Sequence, residues 1–183
     1  EAASNWNIQC HVLDPDAECS CAHMAHTIVQ GSFKDYDTVY NFGKNLKKIT
    51  IEIEHVNVEA LIQLEKEGKT IYPKPAVLQI IQDKGKQKSF YATNDLPTAP
   101  FTLLSNLQEV LAGIQNGTIT YPFVQKSCTA GYDGKGVAVI RNANDLPKLL
   151  EGACVIEQLI DFEKELAVIV ARDVDGKTTC FPA

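Results

Sequence analysis

The sequence predicts an α/β protein in two parts: a parallel sheet covered by helices over residues 1–82, and an α+β unit with an antiparallel sheet over residues 83–183. Two observations support this fold class. In the first part, short β-branched runs alternate with longer runs of helical spacing, an order that is typical of parallel sheets. From Pro122 onward strand-like runs dominate, and Asp175-Gly176 between two of them indicates a β-hairpin.

Four strands and two helices are predicted for the first part. The strands are Ile8–Leu13, Thr27–Val29, Ile49–Ile53 and Ile71–Tyr72. The helices are Tyr36–Leu46 and Val58–Glu67. We expect Asp35 to cap the start of the first helix and Gly68 to end the second, because a side-chain oxygen suits an N-cap and glycine suits the residue after a helix.

Acidic side chains follow two of these strands. Asp14 and Asp16 come after the first strand, and Glu52 and Glu54 lie at the end of the third. Parallel α/β sheets bind ligands at the carboxyl ends of their strands, so we expect a ligand near these acids. A dehydrogenase that binds a dinucleotide is disfavoured, because no Gly-x-Gly-x-x-Gly segment precedes Asp14.

The boundary between the two parts is predicted near residue 82, between two consecutive helices, and from Pro122 the second part is predicted to consist mainly of strands. The helices are Pro75–Gln82, Asp83–Thr93, Leu107–Ile114 and Asp145–Glu151, with a break at Leu96–Pro100. The strands are Phe123–Lys126, Val137–Ile140, Cys154–Ile160, Glu165–Val174 and Thr178–Phe181.

Composition excludes several classes of protein. The net charge of −6 argues against a general nucleic-acid binder. No apolar run approaches the roughly 20 residues that a membrane-spanning helix needs. The chain opens inside what looks like an amphipathic element, with no start methionine or signal pattern at Glu1, so we expect that a segment precedes it.

The cysteines favour a reducing, cytoplasmic compartment. Cys10, Cys154 and Cys180 fall in apolar runs and are expected to be small buried hydrophobes rather than disulfide partners. A second group, Cys19, Cys21, His23 and His26, offers zinc-ligand types within eight residues. Its Cys-x-Cys spacing is tighter than zinc sites usually show, so a helical turn is favoured over a metal site.

A glycine-rich segment, Gly131 to Gly136, lies between two predicted strands, with Lys126 upstream. Glycines let backbone N–H groups approach an anion, and lysine supplies a point charge for phosphate, so a cover for nucleotide phosphates is one interpretation. An ordinary hairpin loop is the other, and spacing alone slightly favours it. Lys84 lies in a charged helix start that either faces solvent or reaches a phosphate.

The segment Cys154 to Glu165 runs from a buried strand into several acids. Carboxylates at a strand end can accept ribose hydroxyls, and the backbone of an exposed strand edge can contact an adenine. A solvated turn with Glu–Lys pairs is the alternative, and the segment by itself favours it.

Several motifs together carry a resemblance to a known family. They are Val12-Leu13-Asp14-Pro15-Asp16, Ala25-His26, Ile51-Glu52-Ile53-Glu54-His55-Val56, Pro97-Thr98-Ala99-Pro100-Phe101, Gly131-Tyr132-Asp133-Gly134-Lys135-Gly136 and Asp175-Gly176. With Asp83-Lys84, Glu157-Gln158 and Glu165, the chain resembles ATP-grasp enzymes, and among them the 5-(carboxyamino)imidazole ribonucleotide synthases. The similarity covers essentially the whole chain.

The resemblance implies a fold and a reaction. The fold is a Rossmann-like pre-ATP-grasp domain over residues 1–82 and the first part of an ATP-grasp domain over residues 83–183. In the reaction, ATP phosphorylates bicarbonate to carboxyphosphate, and aminoimidazole ribonucleotide takes the carboxyl group. The implied cofactors are ATP and Mg²⁺, and a homodimer is expected from the family.

The resemblance also implies roles for individual residues. Lys84 and Lys126 match cations that contact the ATP phosphates, and the loop over the phosphates matches Gly131, Tyr132, Asp133, Gly134, Lys135, Gly136 and Val137. The adenine-contacting hinge matches Glu157, Gln158, Leu159 and Ile160, and the ribose ligand matches Glu165. The residues expected near the imidazole ribonucleotide are Tyr132, Asp133 and Lys135, which are also the expected catalytic residues, and Glu54.

Departures from the family pattern set limits on these roles. Ala130, Val137 and Val58 replace a frequent glycine, glutamine and proline, so a side-chain contact at position 137 is in doubt. The family's first strand, with its glycine turn, and its second ATP-grasp half, with the magnesium ligands, are expected outside this sequence. The chain alone is therefore expected to be inactive. Another ATP-grasp ligase and a non-catalytic nucleotide-binding module remain as alternatives.

Overall fold

The first part of the chain alternates short strands with helices, as its β-α-β pattern predicts. The computed structural model describes residues 2–129, 131 and 136–182. The elements of the first part are α1 (Ala2–Asn5), β1 (His11–Asp14), β2 (Thr27–Gln30), α2 (Tyr36–Gly43), β3 (Lys48–Thr50), α3 (Val58–Lys66), β4 (Thr70–Tyr72) and α4 (Pro75–Ile81). β1 pairs with β2 and β3 with β4, and both pairs are parallel.

The helices of this part begin and end at the residues that local chemistry favours. The Asp35 carboxylate accepts the Thr38 N–H at the start of α2, and the Asn57 amide oxygen accepts the Ala60 N–H at the start of α3. Gly68 follows α3 with a φ of +87°, a conformation that glycine adopts without strain. The predicted cap at Asp35 and helix end at Gly68 are therefore confirmed.

An apolar core holds α2, α3 and α4 against the two strand pairs. Its buried members are Val39, Ile49, Val56, Val58, Ala60, Leu61, Leu64, Ile71 and Leu78. Burial of each large aliphatic side chain contributes about 1.5–3 kcal/mol. The first part is therefore stabilised in this cluster mainly by the burial of apolar side chains.

The second part is built on a four-stranded antiparallel sheet with the order β5-β8-β6-β7. Its elements are α5 (Lys84–Thr93), β5 (Phe101–Leu104), α6 (Leu107–Gln115), β6 (Phe123–Ser127), β7 (Val137–Ile140), β8 (Cys154–Gln158), β9 (Val170–Arg172) and β10 (Thr178–Cys180). The predicted α+β class with an antiparallel sheet is confirmed.

The two faces of this sheet differ. One face packs into a second apolar core whose buried members are Val110, Ile119, Phe123, Ala138, Ile140, Cys154 and Ile156. Because side chains alternate along a strand, Val124 and Lys126 of β6 and Val155 and Glu157 of β8 belong to the opposite face. That second face carries the charged residues of the candidate site.

The hairpin predicted at Asp175-Gly176 is present. β9 and β10 pair antiparallel, and Gly176 has a φ of +83° between them. The Asp173 carboxylate accepts the N–H groups of Asp175 and Lys177, which stabilises the turn.

Several element predictions are wrong. The strand expected at Ile49–Ile53 stops at Thr50, and of Glu165–Val174 only Val170–Arg172 forms a strand. The helix expected at Asp145–Glu151 is a 3₁₀ turn over Ala143–Lys148 that contains Pro147, which has no N–H for an α-helical bond. β5 is missed, because prolines precede it and only pairing with β8 makes it a strand.

The burial expected for three cysteines holds for one of them. Cys154 is buried, whereas Cys10 and Cys180 are exposed, and all six cysteines are free thiols. Cys10 precedes β1, and Cys180 lies in the exposed β9–β10 pair, so neither faces a core. Within the described residues, no helix is long enough and apolar enough to span a membrane.

Candidate functional site

The start of α5 is fixed against the end of β6. The Asp83 carboxylate caps α5 by accepting the N–H groups of Gly85 and Lys86, and the Lys84 N–H donates to the Cys128 carbonyl at 2.8 Å. Gly85 is buried there, and a Cβ at this position would lie 3.1 Å from the Cys128 sulfur. A glycine at position 85 therefore permits the close approach that brings Lys84 to the end of β6.

Lys84 reaches the glycine-rich loop between β6 and β7. Its Nζ donates to the Gly131 carbonyl at 2.9 Å. The loop is closed at its base by the Ser127 N–H, which donates to the Gly136 carbonyl at 2.9 Å, and Gly136 has a φ of +76°. Lys84 therefore contacts the loop at Gly131, and Gly136 at the other end of the loop is bonded to the end of β6.

Lys126 and Glu157 form an ion pair on the charged face of the sheet. In the register of β6 and β8, Val124 lies opposite Glu157 and Lys126 opposite Val155, so Lys126 and Glu157 are diagonal neighbours on one face. The Lys126 Nζ lies 2.7 Å from Glu157 Oε2, and the side chain of Glu157 is only 7% exposed. Lys126 therefore occupies the edge between a buried carboxylate and solvent.

A second lysine, Lys88, completes this ion pair and is missed by the sequence analysis. Its Nζ lies 2.8 Å from Glu157 Oε1, donates to the Thr98 hydroxyl and lies 5.6 Å from the centre of the Phe101 ring. The available signal was the spacing of Lys84 and Lys88, which are four residues apart on one helix and hence on one face. Only the packing of α5 on β8 shows which carboxylate this face meets.

The two lysines determine the charge state of Glu157. Burial on its own would raise the pKa of this carboxyl, but hydrogen bonds and charge from Lys126 and Lys88 outweigh burial and hold the pKa below its ordinary value. Glu157 is therefore ionised at neutral pH, and the three side chains together carry a net charge of about +1.

The predicted adenine-contacting hinge is only partly exposed. β8 lies between β5 and β6, so both of its edges are paired at Glu157, and the Gln158 N–H donates to the Pro100 carbonyl at 3.0 Å. Neighbouring strands therefore occupy both sides of β8 at Glu157, and the adenine contact of the hinge stays a prediction. Leu159 and Ile160 lie beyond the end of β8.

A cleft of about 310 Å³ opens where β8 ends, and its lining includes Pro100, Phe101, Phe123, Glu157 and Gln158. Glu165 is exposed and lies outside any strand, and Val137 is exposed at the start of β7. The structure places Lys126, Val137 and Glu157 on one sheet, but it shows no contact between Glu165 and these residues.

Glu54 lies next to a different cavity, whose lining includes its neighbour His55 and residues at the start of α5. The Gln82 side-chain amide donates to the carbonyls of Glu54 at 2.6 Å and Val56 at 2.8 Å, which ties this segment to the start of α5. A cavity of about 490 Å³ adjoins it, lined in part by His55, Asn57, Gln82, Lys86 and Thr129. The Glu54 carboxylate is exposed and lies 3.8 Å from His55 Nε2.

The remaining predicted residues divide into two groups. Tyr132, Asp133, Gly134 and Lys135 lie outside the described residues, as does Ala130. In the cysteine–histidine group, the sulfurs of Cys19 and Cys21 are 3.7 Å apart, and a 3₁₀ turn spans Ala22–Met24. Over the described part of the chain, no group of three or more His, Cys, Asp or Glu side chains is arranged to hold a metal ion.

Comparison with protein families agrees with this two-part arrangement. A family model for the ATP-grasp domain matches residues 89–183, and a model for the ribonucleotide synthetase pre-ATP-grasp domain matches residues 1–82. The chain therefore belongs to the ATP-grasp family.

Individual relatives narrow the comparison to one kind of ATP-grasp protein. The chain is 35% identical to phosphoribosylaminoimidazole carboxylase of Candida glabrata, covering 100% of this chain and 33% of that protein. It is 32% identical to the crystal structure of N5-carboxyaminoimidazole ribonucleotide synthetase from Thermotoga maritima, with a TM-score of 0.86 over 98% of this chain and 47% of that one.

A third relative was solved with ligands. N5-carboxyaminoimidazole synthase of Aspergillus clavatus, in complex with ADP and 5-aminoimidazole ribonucleotide, is 28% identical to this chain, with a TM-score of 0.80 over 99% of this chain and 48% of that one. The chain spans between 19% and 49% of the length of the curated relatives that it matches.

Proposed function

We propose that this chain contributes the ATP-phosphate site and part of the ribonucleotide site of an enzyme that carboxylates 5-aminoimidazole ribonucleotide. The overall reaction consumes ATP and bicarbonate and forms N5-carboxyaminoimidazole ribonucleotide through carboxyphosphate. The observation that carries the proposal is that Lys84 contacts the glycine-rich loop at Gly131, while Lys126 lies on the strand that leads into this loop, in an ATP-grasp fold.

The phosphate site is proposed at the open side of this loop. Lys84 holds the Gly131 carbonyl, and Lys126 keeps part of its ammonium exposed beside Glu157. Both ammonium groups can donate to phosphate oxygens, with backbone N–H groups of the loop Gly131 to Val137 as further donors. Charge spread over the phosphoryl oxygens during transfer is stabilised by such fixed donors.

The nucleoside end is proposed at the end of β8. Because the Glu157 carboxylate is held by two lysines, adenine contacts fall to the chain beyond the paired strand, at Leu159 and Ile160, and to the Gln158 side chain or carbonyl. Glu165 is the proposed partner of the ribose hydroxyls. Its exposure is compatible with that role, since an exposed carboxylate is open to a ligand.

The ribonucleotide is proposed at the cavity beside His55, with Glu54 as a binding residue. Gln82 fixes the backbone of this segment and also precedes α5, so the ribonucleotide and phosphate sites share one support. Tyr132, Asp133 and Lys135 of the loop are proposed to act near the imidazole and bicarbonate. The relative solved with ADP and 5-aminoimidazole ribonucleotide supports this ribonucleotide as the ligand, and the roles of the three loop residues rest on the family resemblance.

Mg²⁺ is proposed as the partner of ATP, where it would neutralise phosphate charge and orient the transferred phosphoryl group. The described residues offer no carboxylate cluster for it, and the acids nearest the lysines are occupied by other contacts. Its protein ligands are therefore not assigned among the described residues. A homodimer and a cytoplasmic location remain proposals that rest on the family resemblance and the cysteine pattern.

The decisive test is ADP formation that depends on 5-aminoimidazole ribonucleotide. Protein expressed from the complete reading frame is given ATP, Mg²⁺, bicarbonate and the ribonucleotide, and ADP and carboxylated product are measured. Equal amounts of ADP and product, both lost when the ribonucleotide is omitted, are expected. ADP formation with a different acceptor would indicate another ATP-grasp ligase, and nucleotide binding with no turnover would indicate a non-catalytic module.

The 183-residue chain by itself is expected to bind ADP weakly and to show no turnover in the same assay. Phosphoryl transfer needs divalent cations held by carboxylates, which lysines do not replace. If this chain alone turned over ATP in the presence of the ribonucleotide, some of its acids would have to bind Mg²⁺. That result would contradict the proposed roles of Glu157 as the partner of two lysines and of Glu165 as the ribose ligand.

A further inference from the structure

Lys88 is more deeply buried than Lys126, one of the two lysines assigned to phosphate. Its side chain is 11% exposed, and its ammonium is shared among Glu157 Oε1, the Thr98 hydroxyl and the face of the Phe101 ring. The side chain of Lys126 is 33% exposed and lies against Glu157 Oε2. Lys88 therefore faces the interior, whereas Lys126 faces the opening of the site.

Glu157 is a buried carboxylate with two oxygens and two cationic partners. A buried carboxylate requires its charge to be compensated, because burial disfavours the ionised form. With Lys126 as its only partner, that compensation would draw on the same ammonium that the phosphate site uses. With Lys88 on Oε1, Lys126 shares Glu157 with a second cation and keeps donor capacity for an anion.

We propose that Lys88 is a positioning residue that acts through Glu157: it neutralises the carboxylate from the interior side, so that Lys126 is held in place and remains available to the ATP phosphates. Lys88 itself does not contact the nucleotide. The inference rests on the proposed function in one respect, that Lys126 binds ATP phosphate.

Removal of Lys88 has a specific kinetic consequence. Glu157 then pairs with Lys126 alone, and the Lys126 ammonium is withdrawn toward the interior and more fully neutralised. In protein from the complete reading frame, Lys88→Met is expected to raise KM for ATP by about 10- to 100-fold, the scale seen when outer partners of a binding group are removed. KM for 5-aminoimidazole ribonucleotide is expected to change by less than about threefold, because Lys88 and its partners Glu157, Thr98 and Phe101 are not among the residues that line that cavity.

The double variant Lys88→Met/Glu157→Gln separates charge balance from simple packing. It removes one positive and one negative charge together, and the glutamine oxygen can still accept a hydrogen bond from Lys126. KM for ATP is expected to recover to within about threefold of the wild type, since coupled neighbours are non-additive. A purely structural role for Lys88 predicts instead that the double variant is at least as impaired as the single one.

Control variants separate the effect of Lys88 from the general loss of a lysine and from misfolding. Lys66→Met removes an exposed lysine in the last turn of α3 and is expected to leave both KM values unchanged. Lys88→Gln replaces Lys88→Met if the latter does not fold, as judged by thermal unfolding. If neither single variant folds, the double variant decides: KM for ATP within about threefold of the wild type supports the proposal, and a 100-fold increase overturns it.

The outcomes for Lys88 and for the proposed function are distinguishable. Wild-type turnover with the ribonucleotide, together with an unchanged KM for ATP in Lys88→Met, would overturn the role of Lys88 and leave the proposed function standing. If the wild type shows no such turnover, the proposed function fails, and ADP binding by calorimetry then tests Lys88. A tenfold or greater weakening in Lys88→Met supports the inference, and equal affinity overturns it.

Discussion

Both parts have an apolar core, but the sheet of the second part also buries polar side chains. Every buried member of the first core, from Val39 to Leu78, is apolar, whereas among the described residues the buried polar and charged side chains, Gln125 and Glu157, both lie on strands of the second part. The first core is stabilised by area removed from water. The second sheet must also provide a matched partner for each buried polar group: Gln125 pairs with the backbone of Leu150, and Glu157 pairs with Lys88 and Lys126.

Truncation in the first core should give the largest loss of stability. Leu64 is fully buried in α3 and contacts the core of the first part. Leu64→Ala is expected to lower the free energy of unfolding by about 2–5 kcal/mol, because it removes apolar contacts and leaves a cavity. Urea unfolding followed by circular dichroism measures this, and exposed Leu111→Ala is the matched control. Equal losses in the two variants would show that burial does not distinguish these sites.

Removal of Lys126 should instead affect function. In protein from the complete reading frame, Lys126→Ala is expected to lower kcat/KM for ATP by about 10²-fold or more, the scale for loss of one fixed charge donor. Steady-state kinetics at limiting and saturating ATP check this, with Lys66→Ala as the control for a lost surface charge. Wild-type kinetics in Lys126→Ala would remove this lysine from the phosphate site.

The charged face should also respond to pH, unlike the apolar core. The pKa of Glu157 lies below its ordinary value of 4.5 because Lys126 and Lys88 outweigh burial. The ion pairs therefore stabilise the protein fully above that ordinary value, and this stabilisation is lost as pH falls through the lower folded-state pKa. In urea unfolding, the advantage of the wild type over Glu157→Gln is expected to shrink as pH is lowered below about 4.5. A pH-independent difference would contradict the assignment of charge to Glu157.

A helix N-cap should contribute the same free energy in both parts. Comparing one cap from each part therefore tests whether the two parts differ only in their buried residues. Asn57 caps α3 and Asn106 caps α6, each through its side-chain oxygen. Asn57→Ala and Asn106→Ala are each expected to lower the free energy of unfolding by about 1 kcal/mol. Chemical unfolding of the two variants provides the comparison, and a difference of several kcal/mol between them would indicate that one cap does more than satisfy a helix end.

The cysteine–histidine group should have the smallest effect of all. Cys19, Cys21, His23 and His26 are expected to bind no structural zinc, since the described residues contain no three-ligand cluster of suitable geometry. Elemental analysis of protein treated with a chelator should find no stoichiometric metal, and Cys21→Ser should leave thermal unfolding unchanged. Stoichiometric zinc that disappears in Cys21→Ser would establish the site that the spacing disfavours.

Much of the fold could be predicted from hydrophobic periodicity and from the residues that begin or end helices and turns. The α2 and α3 helices, the parallel pairs, the Asp175-Gly176 hairpin and the antiparallel class all follow from local patterns. Two of the failures share a cause. β5 is a strand only through its pairing with β8, and most of the segment from Glu165 to Val174 lacks a partner strand within the described structure, so neither could be judged from its own residues.

By itself, the sequence determined most of the order of elements, the Asp35 cap and the helix end at Gly68. It also indicated the glycine loop and identified Lys84 and Lys126 as candidate cations, because these features depend on residues close together in the chain. Only the tertiary structure decided that Lys88, Glu157 and Lys126 meet. Their contact depends on the register of β6 with β8 and on the packing of α5 over that face. A charge pattern shows which residues can compensate a buried carboxylate, but the chain must fold before any of them is within reach of it.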